Sequence, residues 1–200
     1  MKKSFSIIIW IIALTTLLIA AYTFYEKNKT QENTVQQGPS NESTSVQNST
    51  VNENNKTEKI MAPDFMLKDL EDNEIKLSDY NGKIVILNFW AVWCKYCIEE
   101  MPDFNALNKE LEKENDAVIL AVNVQEKPDT VRKYLTSNNI TLKVLLDEDG
   151  SVAAAYGVNG YPTTFIINKD GSLFTYIPGA TDIETLRMIL DKARKGESLQ

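Results

Sequence analysis

Two cysteines, Cys94 and Cys97, stand three residues apart, and the chain contains no histidine. That second fact narrows the chemistry at once. His–Cys nucleophile pairs, histidine general bases and nearly every catalytic zinc arrangement are excluded. Two cysteines cannot supply a four-thiolate metal site either, so reaction chemistry must run on cysteine, carboxylates or backbone. A Cys-x-x-Cys pair closes so short a loop that a purely structural disulfide would stabilise little by chain entropy. The alternative is redox exchange, and the surroundings favour it. Trp93-Cys94-Lys95-Tyr96-Cys97 falls where an apolar strand pattern ends and a helical pattern begins. A thiolate in the first turn of a helix meets unpaired backbone N–H groups and the positive end of the helix dipole, which lower its pKa. Cys94, at the tip, is expected to be exposed and to attack, and Cys97, one turn deeper, to resolve the mixed disulfide.

Three neighbours modify that chemistry. Lys95 favours a Cys94 thiolate, Tyr96 offers a binding surface beside it, and Glu100 follows Cys97 by three residues, on the same helical face. A glutamate on a helix is most often solvated. The other reading of Glu100 is a proton acceptor for Cys97, which would also raise the thiol pKa values.

The elements that must carry this pair are legible from period and punctuation. Ile84–Phe89 is an apolar run with one polar break, the pattern of a strand buried on both faces, and Val118–Val124 is a second. Between them Ile98, Met101, Phe104, Leu107 and Leu111 recur every three or four residues from Cys94 to about Lys113, predicting an amphipathic helix with Pro102 inside it. A helix opens at Pro128 with Val131, Tyr134 and Leu135 facing inward. A short strand at Leu142–Leu146 and a turn at Asp147–Gly150 lead into Ala153–Tyr156. Thr163–Asn168 and Leu173–Ile177 flank Lys169-Asp170-Gly171 as a hairpin. Thr181 and Glu184 suggest a capping box for a last helix carrying Ile183, Leu186, Ile189 and Leu190. The order implies an α/β fold with a mixed central sheet and helices on both faces.

The rest of the chain is different in kind. Residues 1–25 begin with Lys2 and Lys3 and continue as an uncharged, largely apolar stretch to Tyr25, long enough for a transmembrane helix. They are expected to form an uncleaved signal anchor with the N-terminus in the cytoplasm, a removed signal peptide being the alternative. Residues 26–59 are rich in Asn, Gln, Ser, Thr, Glu and Lys and read as a disordered polar linker. Residues 60–200 form one domain, with 15 basic against 23 acidic side chains and hence a charge of −8. An acidic domain without a basic stripe argues against nucleic acid as a partner.

Four stretches carry a family resemblance: Ala62-Pro63-Asp64-Phe65, Leu87-Asn88-Phe89-Trp90-Ala91-Val92-Trp93-Cys94, Cys97-Ile98-Glu99-Glu100-Met101-Pro102, and Gly160-Tyr161-Pro162-Thr163-Thr164-Phe165. Over residues 60–195 the chain resembles the thioredoxin superfamily, and within it the membrane-tethered TlpA/ResA-like thiol-disulfide oxidoreductases of bacteria. The resemblance implies a thioredoxin-like fold and a cis peptide bond at Tyr161-Pro162, opposite the dithiol, with Trp93, Lys95, Tyr96, Tyr161 and Pro162 meeting the substrate. It also puts the family's semi-buried acid at Glu100. Cytoplasmic thioredoxins carry an Asp on the preceding strand, where this chain has Asn88, and many relatives carry Pro where it has Tyr96.

The implied function is an enzyme with no cofactor beyond its Cys94–Cys97 disulfide and no metal. It would be monomeric, with its catalytic domain outside the cell membrane. There it would take electrons from a membrane thiol carrier and reduce protein disulfides, as in cytochrome c maturation or envelope and spore assembly. An oxidase that installs disulfides and a tethered, non-enzymatic binding module are the competing readings. A peroxidase fits less well, because no threonine of the peroxiredoxin pattern precedes Cys94.

Overall fold

The strand ahead of the cysteines, β3 (Ile84–Trp90), is buried along its whole length, and its alternating side chains divide the core in two. Ile84, Ile86 and Trp90 face one cluster, while Val85, Leu87 and Phe89 face another on the opposite side of the sheet. Burying a side chain of this size contributes about 1.5–3 kcal/mol, so this strand anchors both halves of the core. The computed structural model describes residues 59–198 together with Ile19. The expected membrane span, Ile19 apart, and nearly all of the expected linker lie outside the described residues. Among the described residues no helix is long and apolar enough to cross a membrane.

Seven strands form one sheet: β1 (Met66–Asp69), β2 (Glu74–Lys76), β3, β4 (Ala117–Val124), β5 (Lys143–Asp147), β6 (Thr163–Ile167) and β7 (Leu173–Pro178). Their spatial order is β2-β1-β5-β4-β3-β6-β7. The central β3, β4 and β5 are parallel, and β6, β7, β1 and β2 add antiparallel pairs at the two sides. The sheet is therefore mixed, as expected. The strands β1 and β2 were not legible in the sequence. They are only four and three residues long with mostly exposed side chains, too little for a period to show. Their connection is held by the Asp69 carboxylate, which accepts N–H bonds from Glu71 and Asn73, both at 2.9 Å.

Helices cover both faces, unequally. On one lie α1 (Lys95–Glu114), α2 (Pro128–Ser137) and α4 (Ile183–Lys195), whose buried residues join the cluster of Ile84, Ile86 and Trp90. On the other lie only the short α3 (Ser151–Ala155) and a single 3-10 turn at Leu77–Tyr80. Right-handed crossovers explain this, since β3-α1-β4 and β4-α2-β5 step in the same direction and put both helices on one side.

Two local expectations are corrected. Ile98 does not join the buried stripe of α1 and is 37% exposed. The stripe centres on Cys97, Glu100, Met101, Phe104, Leu107 and Leu111, and one residue past Cys97 is a rotation of about 100°, out of the core. The cap of α4 is Asp182, not a Thr181–Glu184 box: Asp182 Oδ1 accepts the Thr185 N–H at 2.8 Å. A carboxylate is the better acceptor at a positive helix end, and the Thr181 N–H is drawn elsewhere, as described next.

Candidate active site

Both parallel loops at the C-terminal edge of the sheet, β3–α1 and β4–α2, open on the same side because β3 and β4 are adjacent and aligned, Trp90 opposite Asn123. The first holds the cysteines. Ala91 to Cys94 form a turn closed by the Cys94 N–H on the Ala91 carbonyl at 3.1 Å. Cys94 is then the N-cap of α1, its Sγ accepting the Cys97 N–H at 3.2 Å, and the two sulfurs are joined as a disulfide. Cys94 is not exposed as the sequence suggested. It is 5% accessible and Cys97 is fully buried. The physical reason is that as N-cap its side chain turns back over the first turn of the helix, while its neighbours take the solvent.

Those neighbours make an apolar rim, with Trp93 70% and Tyr96 61% exposed. The Trp93 ring meets Tyr161 edge to face at 5.8 Å, joining the cysteine loop to the loop before β6. Tyr161-Pro162 is a cis peptide bond. The loop is fixed on either side by Thr163 Oγ1 donating to the Gly160 carbonyl at 2.8 Å and the Gly179 N–H donating to the Pro162 carbonyl at 2.9 Å. Tyr161 and Pro162 also border a groove of about 570 Å³ whose walls include Tyr156, Val158, Tyr176 and Pro178. Lys95 is exposed and reaches Glu99 at 3.7 Å, with its ammonium 5.9 Å from the Tyr96 ring centre. Part of its charge is thus balanced by Glu99 rather than directed at Cys94.

Glu100 is buried, not solvated. Its Oε1 accepts from Asn88 Nδ2 at 2.9 Å and its Oε2 from the backbone N–H of Thr181 at 3.0 Å. Burial pushes its pKa up to about 7, with the nearby Asp103 charge adding to the rise and the two hydrogen bonds opposing it. Asn88 in turn donates to Thr164 Oγ1 at 3.0 Å, its partner across the β3–β6 register. Buried Asn88 Oδ1 and Thr181 Oγ1 have no hydrogen-bond partner among the described residues.

The sequence missed Thr164, Thr181 and Glu126 as parts of this neighbourhood. The polar break at Asn88 in an apolar strand was the one signal for the first; nothing local marked the others. Glu126, in the β4–α2 loop, accepts the Val92 N–H at 2.6 Å and Asn123 Nδ2 at 2.8 Å through the same oxygen. Among the described residues no group of His, Cys, Asp and Glu is arranged to hold a metal ion.

Residues 59–175 match the AhpC/TSA family. The thiol-disulfide oxidoreductase ResA of Geobacillus thermodenitrificans is 42% identical over 133 residues, covering 66% of this chain and 76% of that protein. ResA of Bacillus subtilis is 36% identical over 137 residues, 68% of this chain and 76% of its own. The solved pneumococcal exposed lipoprotein thioredoxin Etrx1 of Streptococcus pneumoniae is 32% identical, with a TM-score of 0.58 over 64% of this chain and 99% of that one.

Proposed function

This chain belongs to the AhpC/TSA family and is a thiol-disulfide oxidoreductase of thioredoxin fold, and from that premise we propose that it reduces protein disulfides outside the membrane through Cys94 and Cys97. In the reduced enzyme the Cys94 thiolate attacks one sulfur of a substrate disulfide, and the other substrate sulfur leaves as a thiolate and takes up a proton. Cys97 loses its proton and attacks Cys94 Sγ, releasing the second substrate sulfur. Two electrons have then passed to the substrate, and the enzyme holds the Cys94–Cys97 disulfide. A membrane thiol carrier returns the electrons by the same exchange in reverse.

The observation that carries the reducing direction is Glu100, a buried carboxyl on the helix of Cys97 whose pKa stands near neutrality, at about 7. A group so poised can take the Cys97 proton and give it back. When ionised it disfavours a second negative charge on the dithiol, so the reduced form is less stabilised and the potential falls. Lys95, shared with Glu99, counters this only weakly. The rim of Trp93, Lys95, Tyr96, Tyr161 and Pro162 receives the substrate, an extended segment lying against the backbone of Tyr161. Support for an extracytoplasmic domain comes from the apolar, Lys-led residues 1–25 and from the words "exposed lipoprotein" in the pneumococcal neighbour's name. Cytochrome c maturation or envelope assembly suits such a reductant, acting as a monomer with no bound cofactor.

Equilibrating residues 60–200 against a glutathione series tests the direction. A potential near that of thioredoxin, ~−270 mV, supports the reductase, and one near DsbA, ~−120 mV, makes it an oxidase.

A further inference from the structure

Val92 lies two residues before the attacking cysteine, inside the Ala91–Cys94 turn. In such a turn the N–H of the second residue points away from the ring-closing bond and finds no partner within it. Here that N–H, part-buried, is taken by the Glu126 carboxylate at 2.6 Å. The same Oε2 is held by Nδ2 of Asn123, a residue 1% exposed at the end of β4. Glu126 itself follows Gln125, whose φ of 57° is in the left-handed region and whose N–H is fixed on the Asp147 carbonyl at 2.9 Å. The chain thus reverses at Gln125 so that the next side chain faces the cysteine loop instead of solvent. Among the described residues no Lys or Arg lies within salt-bridge distance of Glu126, so the carboxylate serves the two N–H donors.

We propose that Glu126 is a positioning residue for the redox reaction: its carboxylate straps the Val92 amide to the end of β4 and so fixes the turn that presents Cys94. Ala91 is buried in the core and the Val92 side chain packs against it, while the outer residue Trp93 is exposed and meets the Tyr161 ring edge to face, so the Val92 amide is the point at which β4 can hold the backbone of the turn. Disulfide exchange needs the attacking sulfur in line with the bond it breaks. When the Cys94–Cys97 bond opens, the sulfur–sulfur tether is gone, and the strap continues to hold the loop from its N-terminal side. A charged acceptor on a backbone N–H is among the stronger hydrogen bonds. The assignment rests on Cys94 being the attacking sulfur, and its test includes a reading that does not.

The experiment compares wild type with Glu126→Ala and Glu126→Gln in residues 59–200, both oxidised and reduced. Amide hydrogen exchange of Val92 reads the strap directly, and the second-order rate of Cys94 alkylation in the reduced protein reads its consequence. In the alanine variant the Val92 amide should exchange at least about tenfold faster, with Leu87 in β3 unchanged as the internal fold control. Its Cys94 rate should change severalfold, while glutamine, still able to accept the Val92 N–H, restores most of both. Unchanged Val92 exchange in the alanine variant overturns the strap. Faster Val92 exchange with an unaltered Cys94 rate overturns the positioning role. If wild-type Cys94 does not react at all, the redox reading itself fails, whatever the amide shows.

Discussion

Glu100 Oε2 on α1 accepts the backbone N–H of Thr181, 81 residues further along, at 3.0 Å. Three residues on, Asp103 accepts the Ile183 N–H at 3.2 Å. The helix of the dithiol therefore supplies one carboxylate, buried Glu100, to the N–H just ahead of the Asp182 cap and a second, Asp103, to the first N–H of α4 itself. Anions are favoured at a helix N-terminus, yet burial outweighs that here and Glu100 ends with a raised pKa.

Replacing Glu100 with Gln keeps the size and the ability to accept from Thr181 but removes the proton. The apparent thiol pKa values should fall, since a nearby negative charge is gone. Turnover should drop by roughly 10²-fold, the usual size of a lost general acid–base group. Thiolate absorbance titration of both proteins decides the point. An identical titration with full activity would return Glu100 to a structural role.

The same substitution should flatten one part of the stability profile. Glu100 titrates at about 7 in the fold against 4.5 as a free side chain. The folded state binds this proton more tightly, so its contribution is fully present below about 4.5, is lost as pH rises, and is gone above about 7. The loss is on the order of 3 kcal/mol. Urea unfolding of the oxidised domain from pH 4 to 8 should show wild type weakening relative to Glu100→Gln across that window. Parallel curves would mean that the carboxyl titrates normally.

Cys94 should be alkylated before Cys97 when the reduced domain meets limiting reagent, because Cys94 is the less buried of the two and lies at the helix tip. Its small accessibility makes the absolute rate modest. Cys97→Ser should then accumulate mixed disulfides with physiological partners, identifiable by pull-down under non-reducing conditions. Preferential labelling of Cys97 would reverse the two roles.

Asp182→Ala should cost about 1 kcal/mol of stability by removing the cap of α4, whereas Glu184→Ala should cost only a few tenths. Chemical denaturation of the two variants separates them. Equal losses would favour a reciprocal box over the single Asp182 cap.

The Cys-x-x-Cys pair between a buried strand and an amphipathic helix, the parallel β3 and β4, and the β6–β7 hairpin were all determined by local pattern. Strand and helix periods are written in side chains close together along the chain, so the run Ile84–Phe89 and the recurrence of Met101, Phe104, Leu107 and Leu111 announce themselves, while Ile98, read as part of that stripe, proves exposed. Glu100 was suspected from its spacing to Cys97, but whether it was solvated or buried depended on α4, which returns 81 residues later. The exposure of Cys94 depended likewise on how its side chain folds back as a cap. Glu126 was invisible because its meaning is a contact across 34 residues between two loops, made only when β3 and β4 align. The sequence specifies which segments pair and which face is apolar. Tertiary packing alone decides which polar groups are brought out of water together, and burial is what turns an ordinary glutamate into one that titrates near neutrality.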